Sequence, residues 1–488
     1  MKKLLFLFFA ALCILIASCS KDSGFMPGSD PFLAMDKGSP ACGPVIYYSP
    51  ADDGDDTEEL GALISGAESG AVIKLSAGVY HLGYMEIVDF IGSIVGAGVD
   101  KTIVYPKTPL TYKIQFTENI VPCWIRLTGG HVCISQMTFN TDVMGPIHDY
   151  SEEPTMGEDL FSIFVCSDYN EKYRPADSYQ KCEFRNINFI GGKDGAANGY
   201  LTETNTIIGI WSGSDFWWPL EGLEYPLTKG DYLITDCYFD YFLDGAEGFG
   251  LGEYATMKVL SSKFNNCLWP LYFTANHGPV INITNNIFTN SWDGDIIIED
   301  LDWGILSNTY INPRIRSRYA LTGNLFYAAS SASSVILWDI YTATDPENVP
   351  PMLITLKGNI FNLIEGSIGI SAYNSQNAVI QNNKFRGSCS TGLMVDGINT
   401  DRLGTPLPLE GKANKALILG NNFAGLNASV ANIYLGENSS HCMVVGSGKE
   451  NVVDLGDFNK IVGMKKIPGY IGSRIKDNFR MWHGRRHH

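Results

Sequence analysis

The chain has 488 residues, of which 45% are hydrophobic and 18% are charged. Its length allows a large core, and its composition is that of a folded chain, which excludes a wholly disordered protein. The 52 acidic and 35 basic residues give a formal net charge of -17, which repels a nucleic-acid backbone and excludes nucleic acid as the expected partner.

The N-terminal segment predicts secretion. Lys2 and Lys3 are followed by an apolar run at 4–16, which has the length of the apolar part of a signal peptide and is too short to span a bilayer as a helix. We therefore interpret residues 1–18 as a signal peptide that is removed from the mature protein.

The sequence IASC at 16–19 resembles the lipobox of bacterial lipoproteins, in which the cysteine becomes the lipidated first residue of the mature chain. The SKD that follows at 20–22 is similar to export signals of surface lipoproteins in Bacteroides-like bacteria. The resemblance implies that Cys19 is lipidated, that residues 19–44 form a tether, and that the protein contacts a membrane through its lipid anchor alone. It also implies a location at the bacterial outer membrane, exposed on the cell surface.

Nine cysteines remain after the signal peptide and the lipidated residue are set aside. The odd number argues against a fully paired disulfide framework, and no CxxC pair of the zinc type is present. We expect most of them to be small buried residues on strands, with one or two disulfides left open as an alternative.

A short helix is predicted at 56–65, because Leu60, Leu63 and Ile64 share one face at helical spacing. The β-branched runs after it, such as 296–298, are broken by Gly, Asn and Ser and have no helical periodicity, so they predict strands and turns. The helix would then cap the end of a β-structure and cover its core and strand edges.

An Asn-x-Phe phrase recurs along the chain, for example at 359–361 and again 24 residues later at 383–385. Such periodicity predicts stacked units. The units lack the regular leucines of leucine-rich repeats and are shorter than propeller blades, which leaves a right-handed parallel β-helix with three short strands per coil. The aromatic residues expected to align, one per coil, are Phe139, Phe189, Phe239, Phe264, Phe288, Tyr310, Phe326, Phe361, Phe385 and Phe423.

In each coil the Phe is expected to fill the interior and to stack on its neighbours. The Asn before it is expected in a turn, where it tolerates left-handed backbone angles and its amide can hydrogen-bond to the coils above and below. We assign this all-β solenoid to residues 45–462, with long loops inserted at 140–180, 191–230 and 327–352. Residues 463–488 are basic and poorly periodic, and we interpret them as a C-terminal cap or tail.

Two segments resemble the first coils of the pectate-lyase-like superfamily. They are GAVIKLSAGVYHLGYMEI at 70–87 and IVGAGVDKTIVYP at 94–106. The resemblance implies the β-helix fold but leaves the chemistry open, because the superfamily includes polysaccharide lyases, glycoside hydrolases, epimerases, esterases and adhesins. The catalytic motifs of polygalacturonases and pectate lyases are missing, with Asn276-His277-Gly278 as a partial echo, so no catalytic set is carried over.

The loop at 191–230 is rich in aromatic residues. Trp211, Phe216, Trp217 and Trp218 lie close together in it. Exposed aromatic rings stack on sugar rings, so we predict a substrate-binding role for the three tryptophans. Packing of the loop against the coil is the alternative.

Polar residues that could form one site come from three consecutive coils. Alignment on Phe239, Phe264 and Phe288 brings LDGAEGFGLGE, WPLYFTANHG and WDGDIIIEDLDWG into register. Since stacked strands lie about 4.8 Å apart, outward side chains on these segments would share one patch. The candidate catalytic residues are Asp244, Glu247, His277, Asp293, Asp295, Glu299 and Arg316, and the further candidate substrate-binding residues are Trp292 and Asp339.

Paired carboxylates suit glycoside hydrolysis, in which one protonates the leaving oxygen and the other attacks or activates water. Crowding of like charges raises one pKa, which supplies the acid. The same carboxylates could instead bind Ca2+ while an arginine at 314, 316 or 318 removes a proton, as the resemblance to β-helix lyases implies. A hydrated acidic face without chemistry is the third interpretation.

These features together predict a surface-anchored, carbohydrate-active protein that degrades a polysaccharide as a glycoside hydrolase or a polysaccharide lyase. Hydrolysis is preferred, because an acidic chain suits a neutral or weakly charged glycan. The alternative is a non-catalytic glycan-binding or adhesin-like surface protein. No metal is assigned, Ca2+ is the one cofactor considered, and the sequence leaves the oligomeric state open.

Overall fold

The structure is a computed structural model that describes residues 43–51, 54–107, 123–142, 160–167, 179–192, 206–213, 228–274, 276–299, 315–339, 352–398, 413–446, 451–463 and 465–467. The compact unit that begins at Pro44 contains a right-handed parallel β-helix, as the repeat predicts. Among these residues, 34 strands join one parallel sheet that winds through successive coils. Each full coil gives one strand to each of three faces, called here the first, second and third sheets.

In chain order the elements are β1 (Val45–Tyr48), α1 (Thr57–Ser65), β2 (Ala71–Leu75), β3 (Gly78–Leu82), β4 (Met85–Val88), β5 (Ile91–Val95), β6 (Thr102–Pro106), β7 (Ile125–Thr128), β8 (His131–Asn140), β9 (Leu160–Ser167), β10 (Gln180–Ile190), β11 (Thr206–Gly213), β12 (Gly230–Thr235), β13 (Tyr238–Asp240), β14 (Asp244–Phe249), β15 (Thr256–Leu260), β16 (Lys263–Asn265), β17 (Trp269–Thr274), β18 (Val280–Thr284), β19 (Ile287–Ser291), β20 (Ile296–Glu299), β21 (Arg318–Thr322), β22 (Leu325–Ala328), β23 (Ser333–Trp338), β24 (Leu353–Lys357), β25 (Ile360–Leu363), β26 (Ile368–Tyr373), β27 (Val379–Gln381), β28 (Lys384–Asp396), β29 (Ala413–Asn414), β30 (Leu417–Leu419), β31 (Asn422–Leu435), β32 (Ser439–Ser440), β33 (Met443–Val445), β34 (Asn451–Asp454), β35 (Lys460–Val462) and β36 (Lys465–Ile467).

The first sheet contains β1, β2, β5, β12, β15, β18, β21, β24, β27, β30, β33 and β35. The second contains β3, β6, β13, β16, β19, β22 and β25, and the third contains β4, β7, β9, β11, β14, β17, β20, β23, β26, β34 and β36. Four long strands turn a corner: β8 and β10 run from the first sheet into the second, and β28 and β31 from the second into the third. The short strands β29 and β32 pair separately.

The predicted phenylalanine stack runs through the core beneath the second sheet. Neighbouring rings lie 4.7 to 5.9 Å apart between centroids and within 13° of parallel. Phe288 stacks directly on Phe326 with centroids 5.0 Å apart, so the expectation that Tyr310 forms a coil position between them is wrong. Tyr310 itself lies outside the described residues.

The asparagines form a ladder at the corner between the first and second sheets. Its members are Asn286, Asn324, Asn359, Asn383 and Asn421. In Asn359, the backbone N and Nδ2 both donate to Asn383 Oδ1 at 2.9 Å, and Nδ2 also donates to Leu321 O in the preceding coil. The amides from Asn286 to Asn383 therefore tie their own coils to both neighbours, as the sequence predicts, and Asn421 is bound to the preceding coil.

Left-handed backbone angles occur one residue earlier than expected. The residue before the ladder asparagine has a positive φ, as in Gly358 at 67° and Asn382 at 55°. The reason is steric, because the ladder side chain must point into the stack while the preceding residue makes the corner. Glycine or asparagine there avoids the Cβ clash of this conformation.

The predicted helix forms α1 and covers the first coils. Leu60 and Ile64 are buried in the same continuous core as the sheets, and Leu63 packs against it. Asp56, directly before the helix, accepts hydrogen bonds from the Ala51 and His81 backbone nitrogens at 2.7 and 2.8 Å. The carboxylate thus joins the helix start to neighbouring coil segments, and the core end is closed.

The three sheets differ in their outer faces. Strands of the first sheet such as β15 and β18 alternate between buried and partly exposed residues, as expected for a sheet with one face in water. In the third sheet, every residue of β14, β20 and β23 is buried. Inward and outward side chains are therefore both removed from water along this part of the third sheet.

Several sequence predictions concern residues that the structure does not describe. These are the signal peptide at 1–18, Cys19 and most of the tether at 19–44. Pairing of β34 with β36 continues the coil to Ile467, and the chain after it is not described. The eight described cysteines are all free thiols, seven of them buried, in line with the expected small buried residues. No helix in the described ranges has the length and apolar character needed to cross a membrane.

Candidate functional site

The third sheet brings the three predicted segments side by side. Strands β14, β17 and β20 pair in parallel and in register, as the alignment on the phenylalanines predicts. Ile296 and Ile298 belong to the core, so Ile297 and Glu299 point outward. Asp295 lies at the corner before β20, where alternation breaks, because a Cβ on Gly245 or Gly369 at the same level of the sheet would meet the core rings of Phe264 or Phe385. The outward positions of successive strands therefore form columns that cross the sheet.

One column and its neighbour contain two glutamates and a tyrosine. Glu247 in β14 aligns with Tyr272 in β17, and Tyr272 Oη donates a hydrogen bond of 2.8 Å to Glu299 Oε2 in β20. Glu247 and Glu299 are only 4% and 6% exposed, whereas Tyr272 is partly exposed. We refer to Glu247, Tyr272 and Glu299 as the carboxylate row.

Spacing decides which carboxylates can act together. Asp295 and Glu299 stand four residues apart on one strand, which separates their Cα atoms by roughly 13 Å at about 3.3 Å per residue. Glu247 and Glu299 stand two strands and two residues apart, or roughly 12 Å between Cα atoms, and Tyr272 stands on the strand between them. Inverting glycosidases hold their carboxyl groups about 6.5–9.5 Å apart, so the glutamates suit that chemistry better than the pair on β20.

Asp244 does not join this row. Asp244 and Glu247 stand three residues apart in β14, but strict alternation does not hold between them, because Ala246 belongs to the core and a Cβ on Gly245 would also meet the core ring of Phe264. The register aligns Asp244 with Trp269 rather than with Tyr272. The sequence could not choose between these two acids, and the structure places only Glu247 beside the tyrosine.

Asp293 and Trp292 lie in the turn that leads from the second sheet to the third. Asp293 Oδ2 accepts a hydrogen bond of 3.2 Å from Trp269 Nε1, and both turn residues are partly exposed. Trp292 is held through its backbone, whose N donates to Cys267 O at 3.0 Å. These two residues border the third sheet at its corner, and Trp269 links that corner to the carboxylate row, because its ring centroid lies 5.8 Å from that of Tyr272.

Asp295 occupies a buried corner next to that turn. It is 1% exposed, and burial raises the pKa of its carboxyl to about 7, opposed in part by the hydroxyls of Ser291 and Ser334. Its backbone N donates to Ser334 O at 2.9 Å on the next strand. A carboxyl with this pKa can exist in either protonation state near neutral pH.

The turn that follows the third sheet contains His277 and Arg316. The His277 backbone N donates to Leu251 O at 2.9 Å, and the ring is almost fully buried. In the next coil Ser317 Oγ accepts from the Gly278 backbone N at 3.0 Å, which brings the exposed Arg316 to the same corner. Both residues lie at the far ends of β17 and β20 from Asp295.

The neighbouring Asn276-His277-Gly278 phrase has a structural explanation. Asn276 is buried, its Oδ1 accepts from the Leu251 backbone N at 2.8 Å, and its Nδ2 donates to Gly248 O at 3.0 Å. Gly278 has a φ of 89°. Asn276 and Gly278 therefore shape the turn, which accounts for the phrase without a catalytic role.

Asp339 directly follows β23 and is 1% exposed. It lies one strand beyond β20, because β20 pairs directly with β23. Asp396, at the end of β28, accepts hydrogen bonds on Oδ1 from the Gly397 and Asn438 backbone nitrogens, and burial raises its pKa to about 6.

The predicted aromatic platform is described only in part. Trp211 in β11 is buried and lies 4.9 Å from the Phe249 ring, so it packs on the sheet and takes the role given above as the alternative to sugar stacking. Trp217 and Trp218 lie outside the described residues. A second aromatic pair, Trp338 and Tyr373, lies on the outward column that contains Glu299, with ring centroids 5.7 Å apart.

Sequence reasoning missed Tyr272 and Trp338. Both stand at outward positions of strands that the alternation predicts, Tyr272 within WPLYFTANHG and Trp338 just before Asp339. The signal that could have identified them is their position directly beside core leucines on the same strand, because neighbouring residues of a strand point to opposite faces. In the described ranges, no group of three or more His, Cys, Asp or Glu side chains is arranged to hold a metal ion.

Comparison with known proteins gives structural likeness only. No family profile and no curated protein matches the sequence. Among solved structures, the chain is similar to the A-module of a mannuronan C-5 epimerase from Azotobacter vinelandii, with 12% identity, a TM-score of 0.46, and coverage of 87% of this chain and 98% of the other. A family 6 polysaccharide lyase from Pseudopedobacter saltans has 11% identity, a TM-score of 0.44, and coverage of 88% and 94%.

A surface adhesin of Streptococcus pneumoniae has 12% identity, a TM-score of 0.44, and coverage of 82% of this chain and 91% of the other. All three similarities are at or below 12% identity and have TM-scores below 0.5. They assign neither an activity nor a residue to this protein.

Proposed function

We propose that this protein is carbohydrate-active, that it binds a glycan over the third sheet, and that it cleaves the glycan by acid and base catalysis at the carboxylate row. The observation that carries the proposal is the hydrogen bond of 2.8 Å from Tyr272 Oη to Glu299, with Glu247 in register on the other side of the tyrosine. Two buried carboxylates flanking one partly exposed phenol provide the groups that hydrolysis of a glycosidic bond requires.

The roles follow from the hydrogen bond. Glu299 accepts from a phenol, which uses a lone pair of its carboxylate and fixes its orientation, so it takes the part of the base that activates water. Glu247 then protonates the leaving oxygen. A net charge of -17 favours a neutral or weakly charged glycan over a polyanionic one.

The test uses the chain without residues 1–19 and a panel of neutral and uronate-containing glycans. New reducing ends report cleavage, and ultraviolet absorbance of unsaturated uronates separates elimination from hydrolysis. The isosteric Glu299→Gln and Glu247→Gln variants should each lower the rate by roughly 10²–10⁴.

The matched control is Asp240→Asn, a carboxylate on an outward position of the second sheet that hydrogen-bonds to Tyr238 and Asn265 at 3.0 and 2.9 Å. This variant should retain the rate. Equal activity of the wild type and both Gln variants would remove the carboxylate row from the reaction.

Glycan binding without cleavage is the second candidate. The low exposure of Glu247 and Glu299, 4% and 6%, favours it, because a reacting carboxyl must reach its substrate. This candidate predicts that glycan binding persists in the wild type and in Asp295→Ala and Glu299→Ala variants while no product forms with any member of the panel.

We also propose that Cys19 carries a lipid that anchors the protein to the outer membrane with the β-helix facing the outside. The lipobox-like IASC at 16–19 supports this. Metabolic labelling with a palmitate analogue should modify the wild type and not Cys19→Ala, and added protease should cleave the protein on intact cells. Release of an unlabelled wild-type protein into the medium would contradict the anchor.

A further inference from the structure

Three polar side chains lie close together at the C-terminal end of the third sheet. Asp396 ends β28, Tyr434 lies in β31, and Glu437 lies in the turn after β31. Asp396 and Tyr434 are partly exposed and Glu437 is exposed, whereas Trp338 and Tyr373, on the two preceding strands of the Asp396 column, are buried. The outer face of the third sheet is therefore accessible again at this end.

The Asp396 carboxyl is held by one of its two oxygens. Oδ1 accepts hydrogen bonds from the backbone nitrogens of Gly397 and Asn438, at 2.8 and 3.2 Å, whereas Oδ2 accepts none within the described part of the chain. A Cβ on Gly436 would overlap this carboxyl, so the glycine lets the group lie directly against the backbone of the next coil. One carboxylate oxygen is thus fixed, and the other is left for a ligand.

The backbone that carries this carboxyl is bound to both neighbouring coils. In the preceding coil, the backbone N of Asn374 donates to Asp396 O at 3.0 Å, and Asn374 Oδ1 accepts from Ile398 N at 2.8 Å. In the following coil, Asn438 Nδ2 donates to Gly397 O at 3.1 Å. The free oxygen therefore has one fixed position, which lowers the entropy cost of binding a ligand there.

Tyr434 adds an aromatic ring and a second polar atom next to Asp396. Burial raises the pKa of Tyr434 to about 12, and the nearby charges of Asp396 and Glu437 contribute to this rise. Its hydroxyl has no hydrogen-bond partner within the described ranges. A tyrosine presents a flat apolar face with a hydroxyl that donates and accepts, and a carboxylate oxygen only accepts. The pair therefore suits a ligand that has an apolar ring face and hydroxyl donors.

We propose that Asp396 and Tyr434 bind one residue of a neutral glycan, with the sugar ring packed on Tyr434 and neighbouring sugar hydroxyls donating to Asp396 Oδ2. Sugar hydroxyls are the donors that this oxygen lacks in the protein. Glu437 disfavours an anionic sugar at the same place. A metal ion is a weaker fit, because the described residues contain no group of three or more His, Cys, Asp or Glu side chains arranged around one point.

The site is separate from the carboxylate row. Asp396 lies three strands beyond Glu299 on the same outward column, or roughly 14 Å at about 4.8 Å per strand. It would hold a glycan away from the bond that is cleaved. The inference rests on the proposed function in one respect, that the ligand is a glycan, and it requires no cleavage.

The test measures binding by isothermal titration calorimetry. The protein is the purified full chain carrying Glu299→Gln, which prevents turnover, and the ligands are neutral hexasaccharides of glucose, mannose, galactose and xylose. Added Asp396→Asn should weaken the affinity for the bound hexasaccharide roughly tenfold or more, because hydrogen bonds to a charged acceptor are lost. Gly436→Ala should have a similar effect, because the new Cβ displaces the carboxyl and leaves its charge in place.

Two further variants separate the ring from the charge. Tyr434→Ala should weaken binding more than Tyr434→Phe, which keeps the ring and removes only the hydroxyl. The matched control is Asp240→Asn, because the Asp240 carboxylate already accepts hydrogen bonds from Tyr238, Asn265 and Asn266 on another sheet. It should bind like the parent protein.

The pH dependence of binding gives an independent measurement. Burial raises the pKa of Asp396 to about 6, Glu437 contributes to the rise, and the two backbone hydrogen bonds oppose it. The titratable groups that face Asp396 are Tyr373, Tyr434 and Glu437. Affinity should increase as pH rises through about 6, because the ionised carboxyl is the better acceptor. The increase should be absent in Asp396→Asn and should move to lower pH in Glu437→Gln.

Three results would overturn the site. They are binding by Asp396→Asn that equals binding by the control, binding that is lost when EDTA removes divalent cations, and no binding of any of the hexasaccharides. If Asp396→Asn fails to fold, Tyr434→Ala and the pH dependence of the parent protein decide. Cleavage by the wild type with no effect of Asp396→Asn on binding would remove this site alone, and binding that depends on Asp396 without cleavage would remove only the catalytic proposal.

Discussion

Two outward isoleucines in the same coil have opposite surroundings. Ile287, in β19 of the second sheet, is 37% exposed, whereas Ile297, in β20 of the third sheet, is 0% exposed. Both alternate with core residues, Phe288 in one case and Ile296 and Ile298 in the other. The alternation of a strand therefore fixes which way a side chain points, and only the surroundings of the sheet decide whether it meets water.

The same contrast holds for acidic side chains. Asp240 on the second sheet accepts hydrogen bonds from Tyr238, Asn265 and Asn266 at 2.8 to 3.0 Å and remains partly exposed. Asp295 on the third sheet is buried, and its carboxyl is desolvated. Carboxyl groups with a raised pKa are thus found on the third sheet, whose two faces are buried, where such groups can take part in acid–base chemistry.

The largest difference between the two sheets is expected when a charged residue replaces one isoleucine on the outer face of each. Ile297→Asp should cost about 4 kcal/mol of unfolding free energy, because an unpaired carboxylate would enter a buried apolar place. Ile287→Asp, the matched variant on the second sheet, should cost about 1 kcal/mol. Urea titration of both variants measures the difference. Equal losses would show that the outer face of the third sheet is open to water.

A second test compares buried polar groups that have partners with exposed ones. Asn359→Ala should cost about 3 kcal/mol, because it removes the acceptor of Asn324, leaves Leu321 O without its donor and takes one of two donors from Asn383 Oδ1. Asn362→Ala, in the same coil but outward, loses the bond to Phe326 O and an exposed bond from Arg386 Nε, and should cost about 1 kcal/mol or less. Chemical unfolding of the two variants measures the difference. Comparable losses would contradict a stabilising role of the ladder hydrogen bonds between coils.

A third test uses the pH dependence of Asp396. Burial raises the pKa of its carboxyl from 3.8 to about 6, so between these values the folded protein keeps a proton that the unfolded chain has released. Stability should therefore fall as pH rises through this window, by roughly 2–3 kcal/mol for a shift of about two units. Asp396→Asn should lack this decline, and the difference between the two unfolding curves at each pH measures it. A parallel pair of curves would contradict the raised pKa.

A fourth test looks for the opposite sign on the first sheet. Burial alone would raise the pKa of Glu183, but hydrogen bonds and charges from His131, Lys181 and Arg185 hold it well below its usual range. Its stabilising effect is present above the unfolded pKa and should be lost as pH falls.

Because Lys181 and Arg185 reach solvent, the loss in Glu183→Gln at neutral pH should be about 1 kcal/mol and should shrink at high salt. Thermal unfolding at two salt concentrations checks this. A larger loss at high salt than at low salt would exclude the ion pairs as its cause.

The sequence predicts the interior of this fold well, because the interior repeats. Phe361 and Phe385, and Asn359 and Asn383, occupy equivalent places in successive coils, and identical neighbours select identical residues. Insertions break that logic. Tyr310 follows an asparagine by two residues and so resembles a coil position, but the direct contact of Phe288 with Phe326 shows that spacing alone cannot separate a coil from a loop.

The candidate site was predictable in register but not in chemistry. Alternation predicts the outward position of Glu299 but fails for Asp295 at the corner, and the alignment predicts Glu247 two strands away. The choice of Tyr272 as the group between the glutamates depends on a side-chain rotamer, and the enclosure of Asp295 depends on what covers the sheet. The alternation of inward and outward residues along a strand predicts neither the rotamer nor the burial.

The asparagine ladder also makes the length of this protein adjustable in whole steps. Excision of residues 360–383 would join Asn359 to Lys384 and Phe385 and leave the ladder and the ring stack continuous, since Ile360 and Lys384 already occupy the same place in neighbouring coils. Duplication or deletion of one coil can therefore change the distance between Asp396 and Glu299 in steps of about 4.8 Å, while the sequences of the two ends of the β-helix stay the same.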